Sequence, residues 1–500
     1  MSQLINSFKM YRRLVLIFIM CLLFIIKNTA QTVLTLEKAL EIAWANSPDI
    51  KRSILNLERS SESLNAQNAA LKSNFSLSLT PFDYFLNREY DDFQATWFTN
   101  DKKTSLGTFT ISQPIKFTDG TISLNNRLSW QNTYIETPKE TRDNKSFTNN
   151  LFLSFNQPLF TYNRRKLELR ELELDLENTT LSNAIQKLAI ERSVTQGFYN
   201  VYQNQMSLQI AKEEYENQQR SHEIIKNKVE GGLSAMEELY QAELNLATSK
   251  SNYQNQEVAL ENTKDTFKQL IGISLYEDIM VLANVSHEPV QIDLAKAIEH
   301  GLSKRMELRQ REINIETSQF DLIRTSALNE FKGSMSVSVG VFGDNEQFRD
   351  IYAVPTKNPQ FSVAFSIPLW DWGERKSRLK AQEANIKSRE LSYDDENNNI
   401  IISIRTVYRN LQNLENQIEI ARQNEKNAQL TYEINLERYK NGDLTSMDLN
   451  LFQMQLSEKK NALSNALITY KIELLNMKIQ SLWDYEKNES IVPQEFENRI

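Results

Sequence analysis

Three histidines and one cysteine are the scarcest reactive residues in this 500-residue chain. A catalytic or structural metal needs several His, Cys, Asp or Glu donors brought together at short, characteristic spacings. His222, His287 and His300 lie far apart and have no such spacing. No H-E-x-x-H, phosphate-cradling glycine loop or nucleophile elbow occurs either. The expectation is surface histidines, no metal, no cofactor and no enzyme. The scattered Asp and Glu pairs read as solvated helix faces.

The residues with a definite conformational task are glycines. Glu230-Gly231-Gly232-Leu233-Ser234 and Lys440-Asn441-Gly442-Asp443-Leu444 each follow a very long polar stretch. Gly and Asn supply the left-handed residue that ends a helix and lets the chain reverse. Residues 163–230 contain one Gly and no Pro, and residues 374–441 contain neither, so each reads as one helix of roughly 100 Å. Return helices follow at 234–271 and 445–483. Apolar positions such as Leu411, Leu414, Ile418, Ala421 and Ala428 recur every three or four residues among Asn, Gln, Glu and Lys. That pattern suits narrow coiled-coil seams, which need neighbours for stability.

Each long helix is preceded by strand-like sequence. In 360–369, Phe361, Val363, Phe365, Ile367 and Leu369 alternate with Ser362, Ala364 and Ser366, giving one greasy and one wet face. Pro368 is expected to end the ladder, and Asp371 to Gly373 to turn the chain. Phe147, Leu151, Leu153, Phe155 and Leu159 repeat the pattern, with Pro158 placed 210 residues before Pro368. The same offset relates Ala211 to Ala421, Gly232 to Gly442, Glu238 to Asp448 and Leu239 to Leu449. An internal repeat therefore organises the chain. Its opening helix gives an offset of 258, Leu36 against Leu294, so the first half carries 48 extra residues before Pro158.

The expected first repeat is 31–271, with strands within 75–159, and the second is 290–483, with strands at 331–342 and 360–369. A linker at 272–289 joins them and a tail at 484–500 follows. Polar loops are expected around Tyr90 to Phe98 and Pro138 to Lys145. The extra residues read as one hairpin at 106–134, centred on Asp119-Gly120, a strong hairpin signal. Aromatics cluster near strand ends. They suit either interfacial belts of a membrane barrel or the cores of soluble hairpins.

Lys9, Arg12 and Arg13 before the apolar run 14–26 mark residues 1–30 as a signal peptide. Its 13 apolar residues are short for a spanning helix. A lipoprotein reading around Cys21 is weaker, because apolar residues continue past it. Without residues 1–30 the chain keeps 53 basic against 65 acidic residues, net −12, and no thiol. An acidic balance without a basic cluster excludes nucleic acid as the natural partner. No later stretch reaches the length of a membrane helix, so any membrane passage is by strands.

The segment S-x-P-L-W-D-W-G-x-R-K, Ser366 to Lys376, resembles the strand-to-helix turn of TolC-like outer-membrane efflux proteins. The opening L-T-L-E-x-A-L at Leu34, both P-L turns, L-I-G-I-S-L at Leu270 to Leu275 and both reversals extend that resemblance over nearly the whole chain. It implies an α+β membrane protein: a homotrimer with a shared β-barrel in outer-membrane lipid, continuous with a long α-helical coiled-coil tunnel through the periplasm. The implied function is a passive exit duct for small toxic molecules, or for secreted proteins. An inner-membrane pump drives it through a periplasmic adaptor. A coiled-coil envelope scaffold is the rival from another class.

By resemblance, the tips Gly231, Gly232, Leu233, Ser234, Asn441, Gly442, Asp443 and Leu444 would dock the adaptor. R-Y-x-x-G-x-x-x-x-x-D, with Arg438, Tyr439, Gly442 and Asp448, is similar to the family's second tip and would place Tyr439 and Asp448 at the periplasmic entrance. Leu451 and Leu444 depart from the pattern where a second aspartate and a basic partner would fall. Pro158, Pro368 and Gly373 mark the strand-to-helix turns. If the extra hairpin joins the wall, a twelve-stranded barrel becomes eighteen-stranded; otherwise it projects outside.

Overall fold

The computed structural model describes residues 32–92, 95–136 and 141–492. The expected signal peptide, and residues 493–500 of the tail, lie outside them. The described residues open with β1 (Thr32–Leu34), after which Thr35 accepts from the Lys38 N–H and caps α1 (Leu36–Asn46). Pro48, which supplies no N–H, opens α2 (Pro48–Ala70). Four strands follow: β2 (Asn74–Asp91), β3 (Thr96–Pro114), β4 (Thr121–Glu136) and β5 (Thr141–Leu159). Then come α3 (Arg164–Glu230), α4 (Met236–Ile271) and β6 (Ile279–Val281).

The second half begins with α5 (Leu294–Lys304), capped by Asp293, and α6 (Met306–Ser326). Next are β7 (Lys332–Asn345), the two-residue β8 (Thr356–Lys357) and β9 (Gln360–Ser366). It closes with α7 (Glu374–Asn441), α8 (Ser446–Ser481) and a small hairpin, β10 (Trp483–Asp484) with β11 (Glu489–Ser490).

The chain divides into two compact units. One comprises the described residues up to Ile54, Asn183–Arg305 and those from Asn398 onward. Its core gathers Leu34, Ala39 and Ala43 with Ile190, Val194 and Phe198, and with Phe267, Ile271 and Ile279. The parallel pairing of β1 with β6 runs along this core.

The other unit, Leu55–Ser182 with Met306–Asn397, holds the large sheet. Its order is β2-β3-β4-β5-β7-β8, and β9 also pairs with β7. β8 and β9 lie along the same side of β7, because Thr356 faces Phe342 while Phe361 faces Val337. Every pairing is antiparallel. Helices of this unit are tied by ion pairs, including Arg309 to Glu177 at 2.7 Å, Arg311 to Glu396 at 2.9 Å and Arg170 to Glu316 at 3.1 Å. Several charges read as solvated faces thus cross-link helices.

The strands are longer than their alternation suggests. Tyr90, Trp97 and Phe98 were expected in a polar loop, yet all three pair in the β2–β3 ladder. β5 likewise begins at Thr141, inside the expected loop around Pro138 to Lys145. Both faces of these segments are polar or mixed, so they carry no period-2 signal. Ladder hydrogen bonds to a neighbour need none. Pro81 falls where the register shifts between Thr80 and Asp83, the position at which a sheet tolerates a missing N–H. β9 stops at Ser366, short of the expected Leu369, and the return helices start at Met236 and Ser446.

Candidate conduit surfaces and helix tips

The sheet has two chemically distinct faces. Cross-strand register places Leu77 with Phe109, Leu124 with Leu153, Phe155 with Val337, and Met335 with Val363 on one face. The other face aligns Ser78 with Thr108, Ser123 with Ser154, and Ser336 with Ser362. Hydroxyls join hands across it, as Ser123 and Ser154 do at 2.8 Å. The apolar face is left bare: Phe75 and Leu77 are each 64% exposed and Phe361 is 70% exposed. Large contiguous apolar patches mark interaction with lipid or protein. The outer edges, β2 on one side and β8–β9 on the other, carry no strand partner among the described residues.

Four strand ends run directly into helices, and two junctions carry the residues singled out by sequence. Pro158 lies within β5, opposite Ser334, so the turn comes later than expected. Phe160 takes a positive φ of 58°, and Asn163 accepts from the Lys166 N–H at 2.9 Å to cap α3. At the second junction Pro368 follows the end of β9, and Trp372 (φ 54°) and Gly373 (φ 83°) turn the chain. The Asp371 carboxylate accepts from the N–H groups of Gly373 (2.9 Å) and Arg375 (3.1 Å). Those donors, Gly373 foremost, hold its pKa below the ordinary carboxylate value.

Sequence reasoning missed a staple at the first junction. Asp119, buried in the β3–β4 turn, pairs with Arg164 Nε at 3.3 Å and Arg165 Nη1 at 2.9 Å. Arg165 also donates to the Gly120 carbonyl and the Thr121 hydroxyl, both at 3.0 Å. The Arg-Arg pair after the turn was visible, but nothing local pointed it to an acid 45 residues earlier.

The two tips close with one hydrogen-bond pattern. Leu233 N–H donates to the Lys228 carbonyl at 2.7 Å and Gly232 N–H to Val229 at 3.0 Å. Asp443 N–H donates to Arg438 at 2.9 Å and Gly442 N–H to Tyr439 at 3.1 Å. Both are Schellman caps with glycine in the left-handed region, φ 71° at Gly232 and 89° at Gly442. Gly231 keeps ordinary φ, Asn441 is the last residue of α7, and Leu233 stands 82% exposed. The Ser234 hydroxyl donates to Glu238 Oε2 at 2.6 Å.

Beneath the tips, Ile225, Ala242, Tyr432, Tyr439, Leu449 and Leu456 form a buried cluster, with Leu444 packed against it. Tyr439 is 1% exposed, so within one chain it is core rather than open lining. Burial pushes its hydroxyl pKa up. Lys228 Nζ lies 5.0 Å from the centre of that ring and donates to its carbonyl at 3.1 Å. Asp448 forms a reciprocal cap with Thr445: its N–H donates to the hydroxyl at 3.2 Å, and the hydroxyl donates to its carboxylate at 2.7 Å.

The histidines are half-buried rather than on the surface. His287 packs edge-on against Tyr470, and His300 against Trp483 with Nδ1 2.7 Å from the Ser481 carbonyl. Among the described residues no cluster of three potential metal ligands occurs, and no helix is long and apolar enough to cross a membrane.

The family model of the outer membrane efflux protein matches residues 120–273 and 334–478, more than half of the chain. The chain belongs to this family of outer-membrane efflux channels, which places it in the outer membrane and among transport proteins. Its fold is similar to the CmeC outer membrane channel of Campylobacter jejuni, with a TM-score of 0.68 at 16% identity over 91% of this chain and 87% of that one. It is similar to VceC of Vibrio cholerae (TM-score 0.65, 13% identity, 89% and 95% covered). It is also similar to the open state of the MtrE outer membrane channel of Neisseria gonorrhoeae (0.64, 12%, 89% and 88%). No curated protein matches the chain in sequence.

Proposed function

We propose that this chain is one protomer of the exit duct of a tripartite efflux system. Three copies close their sheets into a barrel in the outer membrane, and the long helices, two repeats per chain, form a tunnel into the periplasm. The observation that carries this reading is the two-faced sheet, with Phe, Leu and Val toward one side and Ser and Thr toward the other, continuous with four helices. A wall between lipid and a water-filled lumen needs that alternation; a scaffold does not. The duct is passive. The paired Schellman tips at Gly232 and Gly442 receive a periplasmic adaptor, which couples the duct to an inner-membrane pump supplying small toxic molecules. Asp448 and Tyr439 lie at the entrance.

The test is single-channel recording of the purified protein in a planar bilayer, with light scattering on the same sample. Discrete ohmic steps from a trimer are expected. A stable monomer giving no conductance refutes the reading. Loss of the gene should sensitise cells to toxic compounds.

A further inference from the structure

The β3–β4 hairpin has no counterpart in the second half, where only β7 and the β8–β9 edge stand before the long helix. We infer that this hairpin is part of the channel wall, so that each copy contributes six strands to the barrel although only four of them connect to helices. The inference rests on the channel reading above and adds to it the width and lining of the outer-membrane stage.

Three observations carry it. First, the hairpin cannot leave the sheet without dismantling it. Among the described residues β2 pairs only with β3, from Asn74 opposite Ser112 to Asp91 opposite Thr96. β5 meets β4 from Thr121 opposite Asn156 to Glu136 opposite Thr141. A projecting hairpin would break both ladders.

Second, the hairpin continues both faces near its turn, with Asn126 standing between Phe109 and Leu151 on the apolar side. Ile111 faces Phe75 and Leu124 on the apolar side, while Ser112 faces Ser123 on the polar side. Arg127 also stands on that polar side, exposed and without an ion-pair partner among the described residues. A lone cation is tolerated in a watery lumen and costly toward lipid.

Third, the lower end of the hairpin is seated where a helix would otherwise be required. Its turn is held by Asp119 to Arg164 and Arg165, and by Asn163 Nδ2 donating to the Lys116 carbonyl at 2.7 Å. The extra pair therefore rests on the start of α3 and needs no helix of its own. A barrel wider than the tunnel below it is then possible.

Closure follows from direction. With six strands, all antiparallel to their neighbours, the edges β2 and β9 run in opposite senses, so β2 of one copy can pair antiparallel with β9 of the next. Six strands from each of three copies make eighteen. Barrels of about 16–18 strands hold an aqueous channel.

The test is alternate labelling of single cysteines in a Cys21→Ser background, in outer-membrane vesicles, with a charged maleimide and a lipid-soluble one. Thr110→Cys and Ser123→Cys should react with the charged reagent, and Ile111→Cys and Ile122→Cys only with the lipid-soluble one. Ser338→Cys and Val339→Cys on β7 are the controls. If all four hairpin positions take the charged reagent while the controls alternate, the hairpin lies outside the wall and the channel reading survives. If the controls fail to alternate as well, the channel reading fails and this inference with it.

Discussion

The two helical reversals end with the same pair of backbone hydrogen bonds, 210 residues apart, whereas the two strand-to-helix junctions are built differently. At the first junction, Asn163 caps the helix and Arg164 and Arg165 clamp a buried carboxylate from a distant turn. At the second, Asp371 caps the helix, and Arg375 Nε reaches only the Ser326 carbonyl, at 3.0 Å. A tip is local: one glycine and the preceding turn of helix satisfy the orphan carbonyls. A junction answers to whatever packs above it, and the first must seat an extra pair of strands. Similar chain positions thus diverge where long-range partners differ.

That contrast can be broken most forcefully at the staple. Replacing both Arg164 and Arg165 with Ala strands the buried Asp119, a loss of about 3–5 kcal/mol for an uncompensated buried charge. Arg375→Ala at the equivalent place should cost only about 1 kcal/mol, the worth of one hydrogen bond. Thermal unfolding of the detergent-solubilised protein reads both, and equal losses would refute the asymmetry.

The symmetry of the tips is tested next. Beyond the residue itself and its chain neighbours, no described heavy atom lies within 4 Å of where a Cβ would stand at Gly232 or Gly442, so substitution meets only backbone strain. Gly232→Val and Gly442→Val should each cost about 1–2 kcal/mol and lower the melting temperature alike. A large difference between them would show that the tips are not equivalent.

A smaller effect distinguishes the tips by side chain. Lys228→Ala removes the contact with Tyr439, worth about 0.5–1 kcal/mol. Arg438→Ala, whose side chain among the described residues reaches only Asn435 at 3.3 Å, should leave the midpoint nearly unchanged. Denaturant titration of the two variants gives the comparison.

The smallest effect is a pH dependence confined to the second junction. Asp371 has a lowered pKa in the folded chain. Its stabilisation is complete above the unfolded carboxylate value of about 4 and is lost as pH falls through the lower folded value. The neutral cap Asn163 has no such dependence. Asp371→Asn should therefore be less stable than the native chain at neutral pH and equal to it in acid, whereas Asn163→Ala should lower stability by the same amount at both. Melting curves at the two pH values decide this.

The parts of the molecule legible from sequence share one property. Helix bounds near Gly232 and Gly442, the turn at Asp371 to Gly373, and the alternation of 361–365 all depend on residues within a turn or two of each other. Leu411 and Ile418 are buried as their spacing implies. Other features lacked a local signature. Tyr90 and Trp97 look like loop residues until β2 and β3 are seen to pair. Nothing next to Tyr439 in the chain shows that it is buried in the cluster beneath the tips.

By itself the sequence determined where helices begin and reverse, which strand residues share a face, and that an additional hairpin precedes the first long helix, because capping, left-handed glycine and period-2 alternation act between near neighbours. Only the tertiary structure decided that the hairpin lies in mid-sheet, that Asp119 is clamped by Arg164 and Arg165, and that charges such as Arg309 and Glu177 bind helices together. The last two outcomes depend on partners 44 to 132 residues away, and no spacing along the chain encodes which partner a side chain meets.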